Sequence, residues 1–239
     1  PQSGPVGTTV TITGTGFLNT LSGNTVCFGA TKATITSAST TSLVVTVPAG
    51  ASYSSISVAA NNLVGYSSQP FLVTFPNGGS ITPSSFTSDL VINTGNDVLP
   101  FGAVASDFDG DGKTDVGILK LNNPVSVPPG VLVYRNTGTG VQFAFTLAAE
   151  LAGGYESIAA ADFDGDGKPD IVMTAGSNFM IYLNSSTPGN ISFQPVITLS
   201  NSYSPGRLCV ADVDGDGKTD LITNNSPSAG LAMRRNISE

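Results

Sequence analysis

Aspartates at fixed spacing are the residues of this chain best suited to chemistry. One nine-residue pattern, Asp-x-Asp-Gly-Asp-Gly-Lys-x-Asp, begins at Asp107 and recurs at Asp162 and Asp212. Each copy places carboxylates at positions 1, 3, 5 and 9 and glycines at positions 4 and 6. Four carboxylates within nine residues repel one another unless a cation lies between them. The pattern therefore predicts a divalent cation in each copy, and we expect calcium, which takes six to eight oxygen ligands.

The expected ligands are the four aspartates of each copy and the backbone carbonyl of the lysine at position 7. Glycine at position 6 permits the sharp turn that aims these oxygens inward. Helix-flanked calcium loops close with a glutamate at position 12, but that position is Ile118, Met173 or Thr223 here. The aspartate at position 9 is expected to close the site instead. The predicted ligands are Asp107, Asp109, Asp111, Lys113 and Asp115; Asp162, Asp164, Asp166, Lys168 and Asp170; and Asp212, Asp214, Asp216, Lys218 and Asp220.

The acidic charge of the chain lies mainly in these loops. They hold 12 of the 17 acidic residues and one lysine each, so each loop carries a charge of −3. The nine basic residues form no stripe, which argues against a nucleic-acid partner. No apolar run is long enough for a membrane span. The chain has no histidine, the commonest general base in catalysis.

Short β-strands are expected to hold the loops. A small apolar run precedes each loop and another follows it directly, as Ala103–Ala105 and Val116–Leu119 do around the first. Further runs complete a repeat of about 50 residues, and four strands at that period predict the blades of a β-propeller. Three blades are too few to close a ring. We expect a partial propeller, with further blades elsewhere or with Phe86–Ile92 completing the last one.

The first part of the chain has a different pattern. Apolar and β-branched runs of three to five residues alternate with Gly, Asn, Ser and Pro, which predicts an antiparallel sandwich. Residues 76–85 are rich in Pro, Gly and Ser and are interpreted as a linker. The whole chain is thus predicted to be all-β, with a sandwich over 1–75, a linker over 76–85 and a partial propeller over 86–239. The expected sandwich strands include Thr9–Thr13, Val26–Phe28, Leu43–Val47, Ile56–Val58 and Phe71–Val73.

The two cysteines, Cys27 and Cys209, lie far apart in the sequence. Both have apolar neighbours typical of strands. Since a free cysteine packs as a small hydrophobic residue, we expect two buried free thiols.

Residues 1–75 resemble the IPT/TIG domain. The likeness is carried by the stretch Gly4-Pro5-Val6-Gly7-Thr8-Thr9-Val10, by Gly14-Thr15-Gly16-Phe17, by Asn24–Gly29 and by Val45–Gly50. The resemblance implies an immunoglobulin-like sandwich. That family has one more strand upstream of Gly4, which we expect to be missing here.

The loop-centred repeat resembles the FG-GAP/VCBS repeat family. Ala-x-Asp-x-Asp-Gly-Asp-Gly-Lys-x-Asp followed by an apolar strand is the shared pattern, and Phe101-Gly102 matches the opening pair of the family in the first copy. The later copies have Glu156-Ser157 and Gly206-Arg207 there, and the trailing Gly-Ala-Pro is absent, which places the chain nearer the VCBS type. The resemblance implies a propeller whose blades are braced by calcium.

These features favour a non-catalytic, calcium-stabilised binding or adhesion module of a secreted or cell-surface protein. Its expected partner is a protein or a glycan. One alternative is an accessory region of a large secreted hydrolase whose catalytic domain lies elsewhere. A catalytic propeller is a third hypothesis, but the metal accounts for every paired carboxylate. Extracellular calcium modules bind at about 10⁻⁴–10⁻³ M, which fits millimolar calcium outside a cell.

Overall fold

The computed structural model describes residues 1–61, 63–75, 90–95, 98–121, 128–139, 142–154, 156–226 and 230–238. The predicted linker, residues 76–85, lies outside these ranges, and the predicted domain boundaries stay predictions. The described residues form nineteen β-strands and one short 3-10 turn, Leu21–Gly23. The protein is therefore all-β, as predicted. Among these residues, no helix has the length and apolar character that a membrane crossing would need.

Two sheets make up the first region. The larger has the strand order β1-β8-β7-β3-β4 and the smaller has the order β2-β6-β5. All pairings are antiparallel except that of β1 with β8. The strands are β1 (Ser3–Gly4), β2 (Thr9–Thr13), β3 (Asn24–Phe28), β4 (Thr31–Lys32), β5 (Thr34–Ala38), β6 (Ser42–Thr46), β7 (Ser54–Ala60) and β8 (Leu63–Val73).

Alternation along the strands gives this region one core with contributions from both sheets. In β3, Val26 and Phe28 are buried, while Thr25 and Cys27 belong to the opposite face. Side chains alternate across a strand, so Phe28 lies on the core face of β3. There it contacts Phe71 of β8 edge to face, with ring centroids 5.1 Å apart. The larger sheet therefore keeps a second, more polar face outside the core.

The five expected strands of the first region are confirmed. The absence of a further strand upstream of Gly4 stays a prediction. The structure adds a short strand, β1, in which Ser3 and Gly4 pair with Leu72 and Val73 of β8. Its two residues are too few to show an alternating pattern in the sequence.

The repeat region forms three antiparallel sheets in which consecutive strands are neighbours. The first two sheets have four strands each, as predicted, and the third has three among the described residues. The strands are β9 (Leu99–Ser106), β10 (Asp115–Leu121), β11 (Gly130–Asn136) and β12 (Phe145–Ala152); β13 (Ser157–Ala161), β14 (Asp170–Ala175), β15 (Asn178–Tyr182) and β16 (Ile197–Ser200); and β17 (Ser204–Ala211), β18 (Asp220–Ser226) and β19 (Gly230–Arg234).

Consecutive sheets pack against each other through apolar side chains. Strand β13, which precedes the second loop, contacts both β9 and β17, which precede the other two. Phe108 and Leu119 of the first repeat share a core with Met173 of the second. Phe163 of the second repeat shares another with Leu221 of the third. The strands before the loops therefore run side by side, and the three loops lie close to one another.

Two details differ from the sequence-based expectation. The strand expected at Phe143–Phe145 begins only at Phe145 and runs on to Ala152. Residues 90–92 of the segment Phe86–Ile92 are not in a strand, and Ile92 packs against Ile118 and Leu132 of the first repeat. The described part of that segment therefore does not complete the third sheet.

Both cysteines are free thiols, as expected. Cys27 is half-buried, and burial raises the pKa of its thiol to about 11. Cys209, in contrast, is exposed. In β17, Leu208 and Val210 face the second repeat, so Cys209 points away from it and its predicted burial is wrong.

The first region lies against the loops of the repeats. The backbone N–H of Asp107 donates to the carbonyl of Ala30 at 3.0 Å. Thr31 donates to the carbonyl of Gly50 at 3.0 Å, and its hydroxyl lies 3.5 Å from that of Thr114. The Asp107–Ala30 bond and the approach of Thr31 to Thr114 join the turn between β3 and β4, and the start of β4, to the first aspartate loop.

Candidate metal centres

Each aspartate-rich loop joins the first and second strands of its sheet. The position 9 residues, Asp115, Asp170 and Asp220, are the first residues of β10, β14 and β18. The loops thus run from strand to strand without a helix, as predicted. Within each nine-residue loop, aspartate side chains accept hydrogen bonds from backbone amides that have no partner in a sheet.

A ladder of aspartate-to-backbone hydrogen bonds holds the loop shape. In the second loop, Asp162 accepts bonds from the amides of Gly165 and Gly167 at 2.7 and 2.9 Å. Asp164 accepts from the amide of Asp166 at 3.2 Å, and Asp166 accepts from that of Lys168 at 2.8 Å. The third loop repeats all four bonds. The first loop does so with one change, because Asp111 rather than Gly110 donates to Asp107.

Glycine is required at positions 4 and 6. All six of these glycines have φ between 70° and 87°, a region that costs other L-residues about 1–2 kcal/mol. These positive φ values explain why glycine occupies both positions in every loop.

The aspartates at positions 1, 3 and 9 converge in every loop. One carboxylate oxygen from each of the three lies within 4.8 Å of the others, so each group could hold a metal ion. The donor sets contain oxygen alone, which suits a hard cation such as calcium or magnesium. The converging residues are Asp107, Asp109 and Asp115; Asp162, Asp164 and Asp170; and Asp212, Asp214 and Asp220.

The other predicted ligands do not belong to these groups. Each position 5 aspartate accepts a bond from the amide of its position 7 lysine. Coordination by these aspartates and by the lysine carbonyls stays a prediction. The residues concerned are Asp111, Asp166 and Asp216 at position 5 and Lys113, Lys168 and Lys218 at position 7.

Burial raises the pKa of four loop carboxyl groups. The pKa rises to about 6 at Asp107 and Asp162, to about 7 at Asp115 and to about 8 at Asp170. Loss of water is the largest cause in each, neighbouring aspartates add to it, and backbone amides partly oppose it. These carboxyl groups thus carry an electrostatic penalty that a bound cation would offset, and binding would release protons.

An asparagine at the end of the third strand of each repeat, or two residues after it, organises the loop from outside, and sequence analysis missed this role. The backbone N–H groups of Asn136, Asn184 and Asn236 donate to Asp115, Asp170 and Asp220 at 2.7–2.8 Å. A second amide, at position 2 of the loop, donates to the other oxygen of the same carboxylate. The carboxylate at position 9 therefore connects the start of the loop to the end of the third strand.

The same asparagines connect successive repeats. The side-chain amide of Asn184 donates to the carbonyl of Phe108 in the preceding loop at 2.9 Å, and Asn236 donates likewise to Phe163. Asn136, in the first repeat, donates to Thr114 of its own loop instead. The signal in the sequence is one Asn, two residues before Gly or Ser, at Asn136-Thr-Gly, Asn184-Ser-Ser and Asn236-Ile-Ser.

Two arginines compensate loop charge in the first and third repeats. Arg135 bonds Asp109 and Asp111, both at 2.5 Å. Arg235 pairs with Asp214 and with Asp216, the latter at 2.9 Å. The corresponding residue of the second repeat is Leu183, directly before Asn184. The second loop therefore has no arginine at this place.

Comparison with protein families agrees with the repeat seen in the structure. The profile of the IPT/TIG domain matches residues 1–75. The profile of the FG-GAP-like repeat matches residues 107–173 and 162–223. The chain contains an IPT/TIG domain followed by FG-GAP-like repeats. The IPT/TIG and FG-GAP resemblances and their order are thus confirmed, while the leaning toward the VCBS type stays a prediction. Each match to the FG-GAP-like repeat begins at position 1 of an aspartate loop.

The solved structures matched by this IPT/TIG and FG-GAP-like chain share little sequence with it. Two are auxiliary nutrient binding proteins, from Bacteroides thetaiotaomicron and Bacteroides ovatus. They are 11% and 14% identical, with TM-scores of 0.30, and the match covers 100% and 98% of this chain and 70% and 68% of theirs. A third, provisionally described as a phosphatase from Bacteroides thetaiotaomicron, is 11% identical with a TM-score of 0.31, covering 97% of this chain and 68% of that one. The search of curated proteins found no match.

Proposed function

We propose that this chain is a non-catalytic, calcium-stabilised binding or adhesion module of a secreted or cell-surface protein. Its IPT/TIG domain is an immunoglobulin-like sandwich, and its FG-GAP-like repeats are blades of a partial propeller. The observation that carries the proposal is the convergence of three aspartates in each of three equivalent loops. The partner is a protein or a glycan.

Calcium is favoured by the chemistry of the loops. Their converging donors are carboxylate oxygens only, and the surrounding loop is built from flexible Asp-Gly steps. Calcium accepts six to eight oxygens in irregular geometry, while magnesium demands a near-ideal octahedron. The expected dissociation constant is about 10⁻⁴–10⁻³ M, which suits the calcium concentration outside a cell. That match supports secretion or surface attachment as part of the proposal.

The propeller arrangement is supported by the way the sheets meet. Each of the three repeat sheets is an antiparallel meander over its described residues, and the first strands of successive sheets are in contact. Space between the first strands is limited, because a Cβ on Gly102 of β9 would lie 3.5 Å from the side chain of Ile158 in β13. This is the arrangement of blades around an axis.

A role in binding rather than catalysis is supported by how the acidic residues are used. Twelve of the 17 belong to the loops, where they hold the backbone and converge on the cation sites. Of the other five, Glu150 forms an ion pair with the buried Lys120. The sequence also has no histidine to act as general base.

Calcium titration of the intact chain tests the proposal. We expect about three ions per chain by isothermal titration calorimetry and a rise in melting temperature, since a ligand at ten times its dissociation constant stabilises by roughly 1.4 kcal/mol per site. The triple variant Asp107→Asn, Asp162→Asn, Asp212→Asn should lose both effects.

The matched control is Glu156→Gln, which removes one acidic charge outside the loops and should leave calcium binding intact. Absence of calcium binding by the intact chain, or equal binding by the triple variant, would overturn the proposal.

A further inference from the structure

The outer face of the larger IPT/TIG sheet lies over all three aspartate loops. Thr25 and Cys27 of β3, Ser57 and Ala59 of β7, and Tyr66 of β8 line this face together with residues of the loops. These side chains alternate with the core residues of the same strands. The larger sheet therefore packs one face into the core of the IPT/TIG domain and turns its other face toward the repeats.

Each loop touches a different part of this sheet. The first meets the turn between β3 and β4 through the Asp107–Ala30 hydrogen bond. The second is so close that a Cβ on Gly167 would lie 3.1 Å from that of Ala59. The third is equally near, because a Cβ on Gly217 would lie 2.9 Å from the carbonyl oxygen of Val64.

The contacts are made largely by loop backbone, so they depend on the loop shape. The Asp107 amide and the position 6 glycines reach the sheet only when the Asp-Gly turns are formed. A loop that opens would withdraw these groups and leave the sheet without its support. Loop shape and domain docking are thus mechanically connected.

The charge at this contact also depends on a cation. Asp107 and Asp109 are each 3% exposed, and Asp115 is fully buried. Lys32 of β4 lies near the first loop, where its Nζ would be 3.8 Å from a Cβ on Gly110. Arg135 compensates Asp109, whereas Asp107 and Asp115 accept hydrogen bonds from backbone amides. Burying these last two carboxylates is unfavourable unless their charge is compensated. A cation in the loops would remove this cost.

We propose that metal occupancy of the three loops controls the docking of the IPT/TIG sheet onto the FG-GAP-like repeats, so that calcium closes the two units and its loss releases them. The inference rests on the calcium binding proposed above. By thermodynamic linkage, docking raises calcium affinity by the same factor by which calcium favours docking. The coupling makes the module a calcium-dependent interdomain clasp.

Cys27 provides a built-in probe of the docked state. It lines a cleft of about 490 Å³ between the sheet and the loops, together with Lys32, Asp107 and Asp162. A 5 kDa maleimide polymer is too large for this cleft. In a Cys209→Ser background, which removes the exposed second thiol, polymer attachment at Cys27 reports undocking. We expect attachment to be about tenfold faster in chelator than in calcium, within the usual range of coupling between sites.

Two variants separate docking from folding. Ala59→Arg places a large side chain between the sheet and the second loop, so fast attachment is expected with and without calcium. Ser37→Arg, on an exposed position of β5 in the other sheet, should keep the calcium dependence. Circular dichroism of both variants checks that the sheets remain folded.

The outcomes distinguish this proposal from the proposed function. Calcium binding by calorimetry with equal attachment rates in calcium and chelator would overturn the clasp and leave the calcium module intact. No calcium binding at all would overturn both. A calcium effect on attachment that survives in Ala59→Arg would also contradict the clasp.

Discussion

At the scale of single residues, the loops depend on partners that lie outside the nine-residue pattern. Asn184 is 4% exposed. Its side chain donates to the carbonyls of Phe108 and Pro169 and accepts from the amide of Ser186. All of its polar atoms are therefore satisfied within the protein, and it joins two repeats.

Replacing this asparagine should be costly. Asn184→Ala leaves two carbonyls and one amide without partners in a buried site, and we expect a loss of about 2–3 kcal/mol in the free energy of unfolding. Asn136→Ala, which breaks no bond between repeats, should cost about 1 kcal/mol. Urea unfolding of both variants in calcium measures the difference. Equal losses would contradict the role of Asn184 in joining repeats.

At the scale of elements, position 2 of the first and second loops fills the space between neighbouring sheets. Phe108 is 1% exposed and Phe163 is 8% exposed, whereas Val213 is 48% exposed. Phe108 also contacts Phe193 edge to face at 5.9 Å. The aspartate loop therefore has two faces, one toward the cation and one toward the next repeat.

The aromatic face can be tested apart from the acidic one. Phe108→Ala should cost about 3–5 kcal/mol, because it leaves a cavity between two sheets. Val213→Ala should change stability by less than about 0.5 kcal/mol, as for an ordinary surface site. Thermal or urea unfolding provides both values. A small effect at Phe108 would show that the first two sheets do not rely on this contact.

At the scale of the whole molecule, the buried aspartates connect stability with pH. The ordinary pKa of these groups is 3.8, and it rises to between about 6 and about 8 in the folded, cation-free protein. Between these values the folded state holds more protons than the unfolded state. Its stability therefore falls as pH rises through this window.

Calcium should reverse this trend. Without calcium, the melting temperature should decrease between pH 5 and pH 8; with calcium it should not, so the calcium-dependent increment grows with pH. Differential scanning calorimetry in metal-free and calcium-containing buffers measures both curves. The variant Asp162→Asn, Asp170→Asn should flatten the metal-free curve. A metal-free melting temperature that rises over this range would count against the electrostatic account.

The acidic loops could be predicted from the sequence because their causes are local. Spacing of Asp107, Asp109 and Asp115 fixes which carboxylates can converge, and glycine at positions 4 and 6 fixes the turn. The repeat of about 50 residues and the short apolar runs within it likewise predicted the strands before and after each loop. These features depend on residues within about ten positions of one another, where chain geometry leaves few choices.

What only the tertiary structure decided depends on distant residues. Asn184 meets Phe108 across 76 positions, and the outer face of β3 meets loops that begin 80 residues later or more. Cys209 is exposed because the second repeat covers the opposite face of its strand, β17. No local pattern specifies such pairings, because each depends on how whole sheets pack once their apolar faces are buried. The sequence by itself determined the donors for a cation, and packing decided what those loops support.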